Sequence, residues 1–307
     1  LFRSFGYLSL VTAAELIPPR WLPERLWDVL RKRLGLCRRE VREVRLKGEV
    51  RGVFLSLLLT YQEFVRCPKG ARRILGAWRR ASRLGCRVIG ISSELQAGMP
   101  EAQGAFPGLV TGEHLRALSV VEGCCTAARF LGVDPARATA ALIGFGPMGR
   151  TYAKLLAQRV RNIIISGREP AVGRTRRLLD EKFGMAITSL SPREAVGTAE
   201  MVIVLDGEPP PLTGSIVVAD PGQRLRGTEV KAGLVFEEGL FDGRPLGWRE
   251  VALEPSLLET ILRTFNEQAS TESLISVAQS YGFGLACLKR EGREIPLGGW
   301  NAVDRRM

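Results

Sequence analysis

The chain has 307 residues, 45% of them apolar, and a formal net charge of +12 with a single histidine. That length suggests two domains with ordinary cores, and the absence of an apolar run of about 18 residues makes a membrane span unexpected. Six cysteines without C-x-x-C spacing argue against structural zinc and for a reduced, cytoplasmic setting, and the N-terminus lacks a secretory-leader pattern.

The first third is strongly basic. Residues 1–110 hold 20 Lys and Arg against 9 Asp and Glu, whereas residues 111–307 hold 24 against 23. The excess either attracts an acidic partner (a carrier protein, a nucleic acid or an anionic membrane surface) or forms a solvated arginine-rich face. Aromatic residues are sparse in the basic stretches, which weakens a single-stranded nucleic-acid reading. Residues 21–34 pattern as a short amphipathic helix, and residues 40–46 alternate charge with Val41, Val44 and Leu46 as a strand does. Residues 49–60 read as a buried strand. Residues 70–84 form an amphipathic helix with Ile74, Leu75, Trp78 and Leu84 among its arginines, and residues 85–92 are strand-like, completing a β-α-β pattern. The Gly- and Pro-rich stretch 96–108 is a loop. Thr111 suits an N-cap for a helix over 112–131, ended by Gly132, that leads into the next domain.

The most informative segment follows. The apolar run 140–143 reads as a buried strand and is followed at once by Gly144-Phe145-Gly146-Pro147-Met148-Gly149, then by a helix over 152–157 and a second strand over 162–165. A G-x-G-x-x-G triplet between a strand and a helix is the dinucleotide-binding fingerprint. Gly144 permits the tight turn, Gly146 lets the backbone approach a pyrophosphate, and Gly149 lets the helix pack closely. The helix N-terminus then offers free N–H groups and a positive dipole end to the phosphates.

The end of the second strand narrows the cofactor. An NAD site places Asp or Glu there for the ribose 2′-hydroxyl; here it reads Ser166-Gly167-Arg168, with Arg174, Arg176 and Arg177 beyond. An arginine at this turn can pair with a 2′-phosphate, so the expected cofactor is NADP(H). Further strands are expected at 185–188, at 201–205 ending on Leu205 and Asp206, at 214–220 ending on Asp220, and at 233–236 as the last. Helices are expected over 254–268 and 271–281, crossing back onto the first domain.

In order and spacing these pieces resemble the shikimate/quinate dehydrogenase-like superfamily, and within it the long-chain acyl-(acyl-carrier-protein) reductases, which make fatty aldehydes with NADPH. The resemblance runs over about residues 47–285. It includes Gly48-Glu-Val-Arg-Gly52, the basic helix over 71–84, Val110-Thr-Gly112 with the following helix, the glycine loop, Arg168, Ala199-Glu-Met-Val-Ile-Val204, the segment 217–222 and Ser280-Tyr-Gly-Phe283. It implies an α/β fold of two domains. One is a small α/β substrate domain, residues 1–111 with 254–307, to which the C-terminal helices return. The other, residues 112–253, is a linker helix and an NADP-binding Rossmann domain with a doubly wound parallel sheet.

The sequence departs from that family where the family's chemistry sits. The reductases hold their acyl group on a cysteine at the first returning helix, where this chain has Ser256; the family's Thr-Gly-Asn reads Thr111-Gly112-Glu113; and the lysine motif of shikimate dehydrogenases is not found in residues 1–110. A serine is a far weaker nucleophile than a thiolate unless a base activates it. The candidate catalytic residues are therefore Ser256, His114 as acid/base or first-turn helix residue, and Glu113 as cleft carboxylate or helix-dipole partner. Cys124 and Cys125 read as packing residues, and Cys287 as a small apolar residue with a weak claim to a thiol role. The expected activity is NADP(H)-dependent reduction of a carbonyl or acyl substrate, the latter delivered by an acidic carrier to the basic first domain. Two alternatives stay open: a dehydrogenase of a small shikimate-, quinate- or amino-acid-like alcohol, and an NADP-binding sensor or scaffold without catalysis. No metal is expected, and a homodimer is an open assembly.

Overall fold

A computed structural model describes residues 3–10, 23, 25–27, 37–45, 49–67, 69–97, 109–146, 148–167, 169–207, 210–212, 215, 217–221, 225, 233–248, 252–265, 269–290 and 293–297. Their strands are β1 (Arg3–Leu10), β2 (Cys37–Arg45), β3 (Glu49–Leu57), β4 (Val88–Ile91), β5 (Leu109–Val110), β6 (Thr139–Ile143), β7 (Asn162–Ser166), β8 (Ile187–Ser189), β9 (Met201–Val204), β10 (Val217–Ala219), β11 (Leu234–Phe236), β12 (Glu238–Asp242), β13 (Ala252–Leu253), β14 (Leu285–Arg290) and β15 (Arg293–Pro296). The helices are α1 (Tyr61–Val65), α2 (Gly70–Arg83), α3 (Ser93–Ala97), α4 (Glu113–Phe130), α5 (Gly149–Ala157), α6 (Ala171–Phe183), α7 (Pro192–Thr198), α8 (Pro255–Phe265) and α9 (Thr271–Ser280). Two expected site residues, Pro147 and Arg168, lie outside the described residues, as do most of the helix expected over 21–34 and of the loop expected over 96–108.

The chain divides into two compact units, Leu1–Gly112 with Gly243–Phe283, and Glu113–Asp242 with Gly284–Met307. The helices α8 and α9 belong to the first unit. Residues from Gly284 onward, expected with the first domain, group instead with the second, because β14 pairs antiparallel with β12 and then with β15.

In the first unit five strands form a sheet in the order β2-β3-β1-β4-β5. The inner strands run parallel, and β2 adds antiparallel to β3 at the edge. A parallel strand covered on both faces must be apolar on both, and β1 obliges: Phe5, Tyr7, Leu8 and Leu10 are all buried. On one face Leu8, Leu55, Ile89 and Ile91 pack under Ile74, Ala77 and Ala81 of α2. On the other face lies α8, drawn in by two glycines. A side chain on Gly90 would strike Thr260, and one on Gly112, whose φ is +75°, would strike the backbone of Ser256.

In the second unit six strands form a wholly parallel sheet in the order β11-β10-β9-β6-β7-β8. Numbered from β6, that is the doubly wound dinucleotide-binding order, with its reversal point beside β6. Apart from β8 the strands are short apolar runs, β6, β9 and β10 almost entirely buried. One face packs on α7 through Ala141, Ile143, Val202, Val204, Ala195 and Val196. Helix α4 buries Leu118, Val121, Cys124, Cys125 and Ala128 on its inner side, as expected of the two cysteines. Arg116 of α4 reaches Glu238 of β12 at 3.2 Å, and Lys289 of β14 lies 3.8 Å from the same carboxylate, so this buried acid has cations from two elements. β11 is not the last strand; β12, β13, β14 and β15 follow it.

Gly112, under α8, makes a stability prediction. Gly112→Ala adds a side chain into helix backbone at positive φ and should destabilise the protein by about 3–5 kcal/mol in denaturant unfolding. Gly132→Ala, at φ +82° with open space around it, should lose only about 1–2 kcal/mol. Equal losses would mean that the Gly112–Ser256 approach does not constrain the first unit.

Candidate functional site

The glycine loop sits where the sheet order reverses. Ile143 ends β6, and its carbonyl accepts hydrogen bonds from the N–H groups of Leu205 (2.8 Å) and Asp206 (3.2 Å) beyond β9. Gly144, at φ +74°, turns the chain there; a Cβ on it would lie 2.6 Å from the Asp206 nitrogen and 2.7 Å from its carbonyl carbon. Only glycine fits both the angle and the space. Gly149 opens α5 and donates its N–H to the Gly146 carbonyl at 3.0 Å.

Phe145 has a role the motif alone does not show. Its ring lies 2.7 Å from where a Cβ of Gly149 would be, and its Cβ 2.5 Å from where one of Gly167 would be. The ring is thus held between the start of α5 and the turn after β7, so Gly149 and Gly167 are small to admit Phe145. Gly146 differs: a Cβ there would meet nothing within 4 Å. Its freedom from protein neighbours is what a backbone surface kept clear for a ligand requires. The first turn of α5 carries no acid, so nothing in it offsets the positive end of the helix. Met148 is half-buried and Arg150 exposed beside it.

Across the turn after β7, Ser166 is buried and Gly167 exposed. The acid nearest this turn, Glu169, caps α6: its Oε2 accepts the Gly173 N–H at 3.0 Å. Arg174, Arg176 and Arg177 are exposed on α6. At the end of β9, Leu205 is half-buried and Asp206 exposed, its Oδ1 accepting the Gly207 N–H at 2.8 Å. At the end of β10, Asp220 is buried; its Oδ2 accepts the Leu225 N–H at 2.6 Å, and its Oδ1 has no hydrogen-bond partner among the described residues.

The other candidates fall in separate units. Glu113 and His114 open α4 in the second unit, both half-buried. Ser256 lies in the first unit, fully buried in the first turn of α8. Its Oγ is 2.8 Å from the Tyr7 hydroxyl and donates to Glu254 Oε2 at 3.4 Å. The same carboxylate oxygen accepts from the Tyr7 hydroxyl (2.9 Å), the Ser93 N–H (3.2 Å) and the Ser93 hydroxyl (3.4 Å). One carboxylate thus ties β1, the start of α3 and the start of α8 together. Sequence reasoning found Ser256 and missed Tyr7, Ser93 and Glu254. The available signals were the apolar run around Tyr7 and an acid directly before Pro255 at a helix start.

The buried thiols are poor nucleophiles. Burial pushes Cys287 up to about 12, with the nearby Glu294 carboxylate adding to the shift and Lys289 opposing it. Burial likewise raises Cys86 to about 11, Cys125 to about 11 and Cys124 well above the ordinary thiol value. The thiolate fraction of each near neutral pH is correspondingly small. Among the described residues there is no group of three or more His, Cys, Asp or Glu able to hold a metal ion, and no helix long and apolar enough to cross a membrane.

No family model and no curated protein matches the sequence. Among solved structures the chain is similar to L-tryptophan dehydrogenase from Nostoc punctiforme, with 11% identity, TM-score 0.37, and 91% of this chain and 79% of that one covered. It is similar to shikimate 5-dehydrogenase from Listeria monocytogenes, solved with shikimate and NAD, at 11% identity and TM-score 0.35 over 90% and 96% of the two chains. It is also similar to shikimate dehydrogenase from Aquifex aeolicus, at 12% identity and TM-score 0.32 over 91% and 98%.

Proposed function

We propose that the chain is an NADP(H)-dependent oxidoreductase that reduces a carbonyl or acyl substrate. The observation that carries the reading is the loop from Gly144 to Gly149. It lies at the reversal point of a six-stranded parallel sheet, with a glycine facing open space directly before a helix start free of acids. These residues fit a dinucleotide pyrophosphate: Gly146 leaves room for it, and the first turn of α5 meets it with N–H groups and a positive dipole end. The cofactor, when bound, supplies hydride exchange at its nicotinamide.

NADP(H) is preferred over NAD(H) because the turn after β7 carries Arg168, while Glu169 already caps Gly173. An arginine fork pairs with a 2′-phosphate, whereas an NAD site needs a free acid. Ser166 and Gly167 shape that turn, and Leu205 and Asp206 border the loop from β9. His114, whose imidazole can both donate and accept a proton, is assigned the proton that accompanies hydride transfer, with Glu113 beside it as its acidic neighbour.

Between the acyl-enzyme route and direct reduction, the buried side chains favour direct reduction. Ser256 is fully enclosed and already bonded to Tyr7 and Glu254, and the buried cysteines are held as thiols. An acyl substrate, if used, is then reduced without residing on the protein, and its acidic carrier meets the basic first unit.

Two outcomes test this function. In fluorescence titration the wild type should bind NADPH more tightly than NADH. Arg168→Ala should weaken NADPH by about 1–3 kcal/mol and leave NADH nearly unchanged, while Gly146→Val should lose NADPH and keep its circular dichroism and melting point. Equal affinity for both cofactors would remove the NADP assignment; NADPH binding by Gly146→Val would remove the loop from the site.

Incubation with long-chain acyl donors should leave the protein unmodified by intact-mass spectrometry while NADPH is consumed by an accepted carbonyl. An acyl adduct mapped to Ser256 or Cys287 would restore the covalent route.

A further inference from the structure

The strongest surface feature that the proposed chemistry does not use is the outer face of α2. Between Glu63 and Glu94 the chain has no acid and eight cations: Arg66, Lys69, Arg72, Arg73, Arg79, Arg80, Arg83 and Arg87. All but the half-buried Arg73 are exposed. Among the described residues none of the eight forms an ion pair, although ion pairs elsewhere hold Arg116, Arg137, Arg159, Arg263 and Lys289. Arg73 has a buried Nη1 with no hydrogen-bond partner.

Helical geometry gathers these cations. At about 100° per residue, Arg72, Arg73, Arg79, Arg80 and Arg83 fall within one arc of about 120°, running for about 17 Å along the axis. Ile74, Ala77 and Ala81 take the opposite side, buried against the sheet. Gly76 sits at the centre of the arc, exposed, and a Cβ there would meet nothing within 4 Å. Glycine in the middle of an exposed helix weakens it, so a gain elsewhere is expected; an open notch that lets another backbone come close is such a gain. Both ends of the helix are flanked by exposed apolar side chains, Val65 at 54% and Leu84 at 36% exposure.

We propose that the Arg72–Arg83 face of α2 docks an acidic amphipathic helix of a partner protein. The partner's carboxylates lie along the arginine stripe, its backbone crosses at Gly76, and its apolar side chains meet Val65 and Leu84. Arginine forks pair with carboxylates in two-bond geometry, and arginine with apolar residues is the composition that protein interfaces enrich. A nucleic-acid duplex or an anionic membrane would satisfy the same charges. Neither calls for a glycine notch in the middle of the charged face, and no large aromatic side chain is exposed on this stretch for base stacking. The proposal rests on the reading that the basic first unit meets an acidic protein; it adds where that protein binds and by what contacts.

The test uses full-length protein and three probes in separate titrations at low and moderate salt: an acyl carrier protein without its acyl group, as a small acidic helical protein; a 20-base-pair DNA duplex; and vesicles of phosphatidylcholine with phosphatidylglycerol. Two variants are compared, both checked for unchanged circular dichroism and NADPH binding. One carries Arg72→Gln, Arg79→Gln, Arg80→Gln and Arg83→Gln; the other is Gly76→Leu, which keeps every charge. The wild type should bind the carrier protein with salt-dependent affinity, the four-site variant at least tenfold and Gly76→Leu at least threefold more weakly. Binding undiminished in the four-site variant would overturn the stripe as the docking face while leaving an acidic partner in place. Carrier binding lost in the four-site variant but unchanged in Gly76→Leu would overturn the close-crossing geometry. Wild-type binding to the duplex or the vesicles but not to the carrier protein would overturn the acidic-partner reading itself.

Discussion

The close approach of Gly144 to the backbone of Asp206 is the constraint on which the second unit's site depends. Two parallel strands, β6 and β9, end side by side, and the Ile143 carbonyl is bonded to N–H groups of the chain leaving β9. A residue with a side chain at 144 would push the strand ends apart. With glycine there, the loop turns sharply at a positive φ, Phe145 drops between Gly149 and Gly167, and Gly146 is left on the open side just before α5. The open face of the loop follows from packing: one glycine admits backbone, two admit an aromatic ring, and the remaining one meets no protein atom.

The first unit uses the same device for a different end. Gly90 and Gly112 let α8 settle directly on the sheet, and that closeness brings Ser256 within hydrogen-bond reach of Tyr7. Once Ser256 is buried there, its hydroxyl must be satisfied, and Tyr7 and Glu254 satisfy it. A position that the resemblance assigns to covalent chemistry is in this chain part of a network joining β1, α3 and α8. The observed contacts account for Ser256 by structure alone, so the proposed reduction is written without a bond to it.

Legibility differed between the units for physical reasons. Most strands of the parallel sheet were readable because they are short apolar runs bounded by turn residues, and the glycine spacing set the order of β6, α5 and β7. The amphipathic α2 was readable from Ile74, Leu75 and Trp78 among arginines. β1 was missed because its run is broken by Gly6 and Ser9, small residues whose partners lie far away in sequence: Ala81 of α2 beside Gly6, and Ser56 of β3 bonded to Ser9. The antiparallel β12, β14 and β15 were missed because β14 pairs with a strand more than forty residues earlier, a partnership no local pattern records. Tyr7, Ser93 and Glu254 escaped notice for the same reason: they are near one another only after β1, α3 and α8 have packed. In the glycine loop the spacing announced the turn, but the division of labour among Gly144, Gly149 and Gly146 depends on the placement of Asp206 and Phe145.

The central claim is that the loop between β6 and α5 is a phosphate-binding surface. Backbone amide resonances observed by nuclear magnetic resonance during addition of NADP⁺ address it directly. The account predicts that the largest shifts fall on Gly146, Met148, Gly149 and Arg150, with a smaller set at Gly167 and Asp206, and that inorganic pyrophosphate reproduces the first set alone. Saturable binding with these amides unmoved, or with shifts concentrated in the first unit, would contradict it.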